Sequence, residues 1–594
     1  MKNINKLLNS KIFFLLVLVL SLLYLFTSIR IGYNIYDEGI VVYGANRVLD
    51  GDIPYRDFWT MYAPGQFYMV AFLYKLFGIN LFVVRVYSAI INFFIAVLTY
   101  LIVKKFTDYK IALLSLIFTT LWMGGWGMFY GSPTPTGTFW SLFSILFVVD
   151  FLCRKRESSI IIAGFITGIT AIFRHDIGGY TFISSTLVLI PYIYLNISRK
   201  DLMKTFKIWS KYLIGTLITF LPVAIYFLAN VPIRELIYDL FIFPSKIFPR
   251  VRDLPYPKFS LDLNTFLFYI PIIVYLITIF ELLLNIKNVK KFREKEWSTV
   301  LLVILGILFF NQAWVRSDVP HLLPTIIPAM MLLSSLIISP LNKMFRKGEN
   351  LVRFFSLFLS FILILALYNN ALKEISFSVY IIPIVVVSAL ILIIAMVLQF
   401  NSFKRKVIYQ AITCILCGFI LFSFYTDRIE NTSLTKLLSF RISGLVPLDT
   451  ERAKGIYVFS GQEYFVLATV KFIQMNTKLE ERIFVGNSRH DRIFVNDIMF
   501  YFLSERHSAT KYHELHPGLA TTREVQQEII EELKENNVRY VVLWNGAENV
   551  MEPNESAIST GVTDLDDFIS KNYISIMTFG PYQIRQKIMR GEIS

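Results

Sequence analysis

The stretch YNIYDEGIVVYGANRVLDGDIPYRDFWTMYAPGQF, residues 33–67, decides how the chain is read. It gathers acids, aromatics, glycines and prolines between long apolar segments, which marks a loop held against a membrane surface rather than another span. The pair Asp37 and Glu38 follows directly on the first apolar run, and Asp50, Asp52, Arg56 and Asp57 come within the same stretch. Charge beside hydrocarbon is costly, so side chains of this kind are candidates for chemistry.

Working outward, 55% of the 594 residues are hydrophobic and 17% charged, with a mean hydropathy of +0.56. A chain of this balance is a polytopic α-helical membrane protein with a soluble part attached. The formal charge of +15 does not point to nucleic acid, because Lys and Arg fall in short clusters between apolar runs, where they set topology and touch lipid headgroups. Cys153, Cys414 and Cys417 are too few for a disulfide framework, and the last two sit in an apolar run that reads as helix packing rather than zinc binding.

Residues 12–29 predict an uncleaved first span with its N-terminus inside. Later runs end at basic punctuation, KKFTDYK 104–110, CRKRE 153–157, SRKDLMK 198–204, KNVKKFREK 287–295, NKMFRK 342–347 and KRK 404–406, which the positive-inside rule makes cytoplasmic turns. Loops of another kind alternate with them on the outer face: GGWGMFYGSPTPTG 124–137, RHDIGGY 174–180, the segment 231–262 and NQAWVRSDVPHLLP 311–324. The alternation predicts about 13 spans, the last ending near Phe424, with weakly marked spans at 354–368 and 377–399. Residues 1–425 are then the membrane domain and 426–594 a soluble extracytoplasmic α/β domain. In the latter, 483–486 and 538–544 read as strands, 522–537 as an amphipathic helix, and YISIMTFG with YQIRQKI as a terminal strand pair. Its His513 and His516 form an HxxH that reads as a solvated loop, with a metal fragment as the rival.

The outer segment 231–262 carries Arg234, Lys246, Arg250, Arg252 and Lys258 against the topological trend, which suits either an anionic lipid phosphate or headgroup anchoring. The cytoplasmic turns are short and hold no glycine-rich phosphate cradle, so any chemistry falls outside and draws on a substrate carried by the membrane. The outer charges form a short set: Asp37, Glu38 and Asp57, then Arg174, His175 and Asp176, then Arg316, Asp318 and His321. Asp57 supports Asp37 or caps a helix starting near Phe58. The 174–176 group is either a site element or an ion pair joining two spans. Trp59, Trp126, Trp140 and Trp314 read mainly as interfacial belt residues.

An acidic pair in the first outer loop, Tyr62-x-Pro64-Gly65 behind it, some thirteen spans and an outer C-terminal domain resemble the GT-C glycosyltransferases. Closest in pattern are the protein O-mannosyltransferase and aminoarabinose transferase superfamily, glycosyltransferase family 39-like. The resemblance implies transfer of a sugar, hexosyl or pentosyl, from a polyprenyl-phosphate donor to a lipid, glycan or protein acceptor outside the cytoplasm, usually with inversion. It implies Asp37 as general base or acceptor-positioning acid with Glu38 as partner, and Arg316 and His321 near the lipid phosphate; from the basic loop, Arg250 and Arg252 are candidates for the same phosphate. Tyr62, Asp57, Arg174, His175, Asp176 and Asp318 are candidates for substrate binding or support. The second outer loop, 124–137, lacks the acid many relatives carry there.

The same roles follow from the chemistry. A hydroxyl attacking an anomeric carbon needs a carboxylate base, and a half-buried carboxylate has its basicity raised. The leaving phosphate gains charge, so Arg and His donors favour the transition state. Such donors make a metal unnecessary, although the acid-rich loop leaves a divalent ion as an alternative. Two rival functions are a lipid-substrate transporter or flippase, for which mid-membrane charges and repeats are expected, and a non-catalytic scaffold, for which the outer acids and bases would lie far apart.

Overall fold

The computed structural model describes residues 11–124, 130–258, 263–285, 292–345 and 444–588. Among the described residues seven helices are long and apolar enough to cross a membrane: Leu81–Phe106, Pro133–Arg154, His175–Asn196, Leu202–Asn230, Thr265–Leu283, Glu294–Val315 and Val319–Ile337. Three shorter apolar helices, Lys11–Phe26, Tyr109–Met123 and Glu157–Phe173, pack among them. The breaks fall at the expected turns: Asp108 caps the helix after Thr107 through the N–H groups of Lys110 and Ile111, and Asp201 caps the helix Leu202–Asn230 through Lys204. The spans expected at 354–368, at 377–399 and up to Phe424, the Cys414–Cys417 pair, Trp126 and the 425/426 boundary lie outside the described residues.

Helices Glu157–Phe173 and Leu202–Asn230 cross at small residues, as membrane helices do when backbone contact replaces side-chain interdigitation. A Cβ on Gly164 would overlap the Tyr212 carbonyl, and one on Gly215 would overlap that of Ile161.

The 33–67 stretch carries a helix where a loop was expected. Asn34 accepts the N–H groups of Tyr36 and Asp37 on its Oδ1, at 2.9 and 2.8 Å, and starts the helix Asp37–Leu49. Residues Glu38 to Arg47 of this helix are all buried. A second helix, Gly65–Phe77, follows Pro64. No helix starts near Phe58: Asp57 closes a turn on the Ile53 N–H at 2.7 Å and pairs with Arg56, because a Pro-containing turn and the Arg side chain compete for its oxygens first.

The C-terminal domain has a hairpin, β1 (Leu445–Pro447) with β2 (Tyr457–Phe459), and a five-stranded sheet built from β3 (Arg482–Asn487), β4 (His507–Ser508), β5 (Tyr540–Trp544), β6 (Tyr573–Phe579) and β7 (Tyr582–Lys587). Its order is β4-β3-β5-β7-β6, parallel across the first three strands and antiparallel across the last three. Helix Arg523–Glu535 makes the crossover into β5, as the 3.6-residue spacing of Val525, Ile529 and Leu533 requires.

This sheet is docked on the first stretch. Met499 N–H donates to Ile35 O at 2.9 Å, Trp59 N–H to Lys511 O at 3.1 Å, and Ser508 N–H to the Tyr43 hydroxyl at 2.5 Å. Tyr43 stacks on Tyr501 with ring centroids 5.0 Å apart. One apolar core runs from Tyr36, Ile40 and Phe67 through Ile483, Met499 and Ile584. Gly39 sits at the closest approach, where a Cβ would lie 2.8 Å from Met499 N.

Candidate active site

The two acids of the opening pair differ in their surroundings. Glu38 is buried and held by Arg85, whose Nε and Nη2 donate to Oε1 and Oε2 at 2.8 Å each. The same guanidinium donates to the carbonyls of Ile29, Ile31 and Gly32, and its face lies 4.8 Å over the Tyr130 ring. Glu38 thus has its lone pairs committed to a clamp that fixes the chain entering the helix. Asp37 is instead exposed, with Asn34 Nδ2 at 3.1 Å. It is not the half-buried carboxylate expected, since the first turn of the helix turns Glu38, and not Asp37, toward the bundle.

Tyr62 lies where the charges of Glu514, Asp37, Arg174 and Arg252 all reach it, and burial together with the two acids raises its phenol above the ordinary range. Arg252 ends the 231–252 segment, in which helix Ile233–Ile237, a π-turn Tyr238–Ile247 and helix Phe248–Val251 fold back over the bundle end. Of the five basic residues there, Arg234, Lys246, Arg250 and Lys258 are exposed and Arg252 is buried. Arg252 Nη1 donates to Phe494 O at 3.3 Å and lies 3.6 Å from Glu552, while Nε and Nη2 have no hydrogen-bond partner among the described residues.

The other candidates are held more tightly. Arg174 pairs with Asp176 through two bonds of 2.9 and 2.7 Å, donates to Thr134 at 2.9 Å and stacks 6.0 Å from Tyr62. Asp176 also accepts Gln312 Nε2 at 2.7 Å, tying three spans together, and the His175 ring lies 5.6 Å from Phe241. Arg316 grips Glu552 of the C-terminal domain at 2.9 and 2.5 Å, Asp318 at 2.7 Å and the Arg252 carbonyl at 2.7 Å. Asp318, held below the usual carboxylate range despite its burial by His321 and Arg316, bonds the His321 ring. Arg316 therefore has all its donors committed, His321 has its Nδ1 on Asp318, and the buried Arg252 keeps two nitrogens without a partner among the described residues.

Sequence reasoning missed Arg85, Glu514 and Glu552. An arginine early in an apolar run was a readable sign for Arg85; nothing local marks the other two. The HxxH segment was expected to be solvated, yet His513 and His516 are buried. His513 packs edge-on to Tyr43 at 5.0 Å, and His516 to Phe243 at 5.0 Å. Burial and the nearby Arg252 push His516 down to about 3, and burial with Arg47 holds His513 well below its usual value. Trp59 is not a belt residue either, being buried 5.0 Å from Phe243, because the C-terminal domain covers it. Trp314 is exposed. Between the histidines, Glu514 is fully buried, accepts the Tyr36 hydroxyl on Oε1 at 3.0 Å and has no partner on Oε2. Among the described residues no group of three or more His, Cys, Asp or Glu side chains is placed to hold a metal ion.

Residues 62–226 match the family model described as dolichyl-phosphate-mannose-protein mannosyltransferase. An uncharacterized protein of Aquifex aeolicus is 27% identical over 283 residues, which are 46% of this chain and 52% of that protein, so the chain spans about half the length of this relative. Among solved structures, ArnT from Cupriavidus metallidurans bound to undecaprenyl phosphate superposes with a TM-score of 0.51 at 12% identity, covering 98% of both chains. The Archaeoglobus fulgidus oligosaccharyltransferase tethered with an acceptor peptide gives a TM-score of 0.47 at 12% identity, over 95% of this chain and 72% of that one. The family-model match covers residues 62–226, and the chain as a whole shares the fold of ArnT.

Proposed function

We propose that this protein transfers a sugar from a polyprenyl-phosphate donor to an acceptor hydroxyl on a lipid, glycan or protein, at the outer face of the membrane. The observation that carries this is the Tyr62 ring, which has the Arg174 guanidinium 6.0 Å away and lies within reach of the charges of Asp37 and Arg252, groups drawn from three segments far apart in sequence. A scaffold would have no reason to bring a free carboxylate and an arginine with unused donors to one place. The basic turns at the opposite end favour a cytoplasmic N-terminus and an outer C-terminal domain.

Asp37 is the base: exposed and bonded only through Asn34, it can meet the acceptor hydroxyl and take its proton. Arg252 receives the donor phosphate, and its two unused donors strengthen their bonds as the leaving group gains charge. Arg316 acts as a positioning residue, holding the Arg252 backbone. Attack opposite the phosphate gives inversion. The π-turn segment and its exposed apolar residues, Ile233, Ile237 and Phe241, offer the prenyl chain a face at the bilayer.

The test is transfer by the full chain in vesicles, with labelled polyprenyl-phosphate hexoses and pentoses as donors and source-membrane extract as acceptor. Asp37→Asn should insert and fold normally while lowering turnover about 100-fold or more, the usual contribution of a general base. Full activity in this variant would remove Asp37 from the chemistry. Movement of labelled lipid without glycosidic bond formation would replace the transferase reading by a flippase.

A further inference from the structure

A polar hollow lies where the C-terminal domain meets the far end of helix Asp37–Leu49, away from the groups proposed for transfer. A helix rise of about 1.5 Å per residue puts Asp50, on its edge, about 20 Å from Asp37. Its volume of about 370 Å³ falls in the range of about 300–1,000 Å³ common to small-molecule sites. The floor is fixed by its own bonds. Tyr43, Arg47 and Ser508 are buried there, and the Ser508 N–H donates to the Tyr43 hydroxyl at 2.5 Å. Arg47 commits Nε to Asp52 at 2.7 Å and Nη1 and Nη2 to the carbonyls of Thr510 and Asp57 at 3.2 and 2.7 Å. Bonding capacity remains at the rim, where among the described residues Glu480 has no hydrogen-bond or ion-pair partner. Arg482 spends Nη1 on the Ser508 carbonyl at 3.2 Å and leaves Nε and Nη2 unused, and Asp50 accepts Asn46 Nδ2 on Oδ2 at 2.6 Å and leaves Oδ1 unused. The His507 ring stands 3.9 Å from Asp50, and burial is the main reason its value falls below the ordinary one, so it is neutral at pH 7.

This lining selects a class of ligand. Two arginines face three carboxylates, and the Arg47 donors are already committed, so an anion meets net repulsion. No aliphatic side chain of the described residues lines the hollow, which leaves a prenyl or acyl chain nothing to pack on. Nor are three or more acids and histidines of the described residues placed to hold a metal ion. What suits unused carboxylate oxygens and unused guanidinium N–H groups together is a ligand whose polar groups both donate and accept, and a hydroxyl donates one bond and accepts two. We propose that the hollow is a saccharide-binding site, separate from the transfer site and formed jointly by helix Asp37–Leu49 and the C-terminal domain. Glu480 and Asp50 accept bonds from sugar hydroxyls, and Arg482 donates to them. The saccharide is either the distal part of a glycan acceptor or a saccharide not attached to it. The first source rests on the transferase reading; the binding itself does not. Because one wall belongs to each domain, the site exists only when the C-terminal domain is docked.

The test is binding to the purified full chain, read by saturation-transfer NMR and calorimetry, with neutral manno- and gluco-oligosaccharides as probes. Inorganic phosphate and a trilysine peptide serve as the rival anion and cation. A neutral oligosaccharide should bind, and Glu480→Ala and Arg482→Gln should each weaken it about 10-fold, the usual effect of losing a hydrogen bond to a charged group. Glu480 is exposed, so its variant should fold as the wild type does. Asp37→Asn should leave saccharide affinity unchanged, which separates this site from the transfer site. In the transfer assay, a raised acceptor KM in Glu480→Ala assigns the saccharide to the acceptor glycan, and an unchanged KM with binding lost assigns it to an unattached saccharide. Absence of binding by every neutral probe, affinity unaltered in both variants, or phosphate or trilysine bound in preference to the saccharides overturns the proposal. A wild type that binds saccharide and transfers no sugar from any donor overturns the transferase reading alone.

Discussion

Replacing Glu38 by Gln separates a structural acid from the one proposed as the base. The Arg85–Glu38 pair has 1% and 2% of its side chains exposed and makes two charge-assisted hydrogen bonds of 2.8 Å. Such bonds are worth about 1.5–3 kcal/mol each, and breaking a buried pair from one side typically costs about 3–5 kcal/mol, because the remaining charge stays in low dielectric. Gln retains an acceptor, and Arg85 keeps three carbonyl partners, so the lower end applies: a loss of about 3 kcal/mol. Arg85→Met should cost more, since it also strands the carbonyls of Ile29, Ile31 and Gly32. A double-mutant cycle over Glu38→Gln and Arg85→Met, read from unfolding in detergent, should give a coupling energy of about 2–3 kcal/mol. Asp37→Asn, with its exposed side chain, should move stability by less than about 0.5 kcal/mol. Additive single variants, within about 0.5 kcal/mol, would refute the clamp and return Glu38 to the chemistry.

Two more perturbations address how the C-terminal domain is held. His513 and His516 are buried neutral, so their folded values lie below the unfolded value of about 6.5; the stability they permit is present above that pH and is lost as pH falls through it, by about 1.4 kcal/mol per unit for each ring. Amide exchange in 508–520 should therefore accelerate between pH 6.5 and 5, and His516→Phe should flatten the response; a pH-independent segment would contradict the buried assignment. Glu552→Gln removes a carboxylate that competes with phosphate for Arg252 and Arg316. Polyprenyl phosphate should then bind several-fold tighter in a vesicle titration, and unchanged affinity would take Arg252 out of the donor site.

Hydropathy and charge placement are local properties, and they were enough for the helical membrane part, the turns at 107–108 and 197–201, the strands at 483–486 and 538–544, and the helix at 522–537. They also singled out 33–67, because acids beside apolar runs are conspicuous at any fold. They did not assign roles within it. Glu38 became a strut only when Arg85, 47 residues later, met it inside the bundle. Arg252 stood out from four other cations only when the 231–252 segment folded back and buried it alone. HELH looked like solvated loop because its partners, Tyr43, Trp59 and Phe243, are hundreds of residues away. Local pattern determined where the chain meets the membrane and which stretch carries the acids. Desolvation and hydrogen-bond satisfaction depend on what the whole fold packs around each group, so only the tertiary structure decided which carboxyl is exposed, which is clamped and which is buried with an oxygen unpartnered.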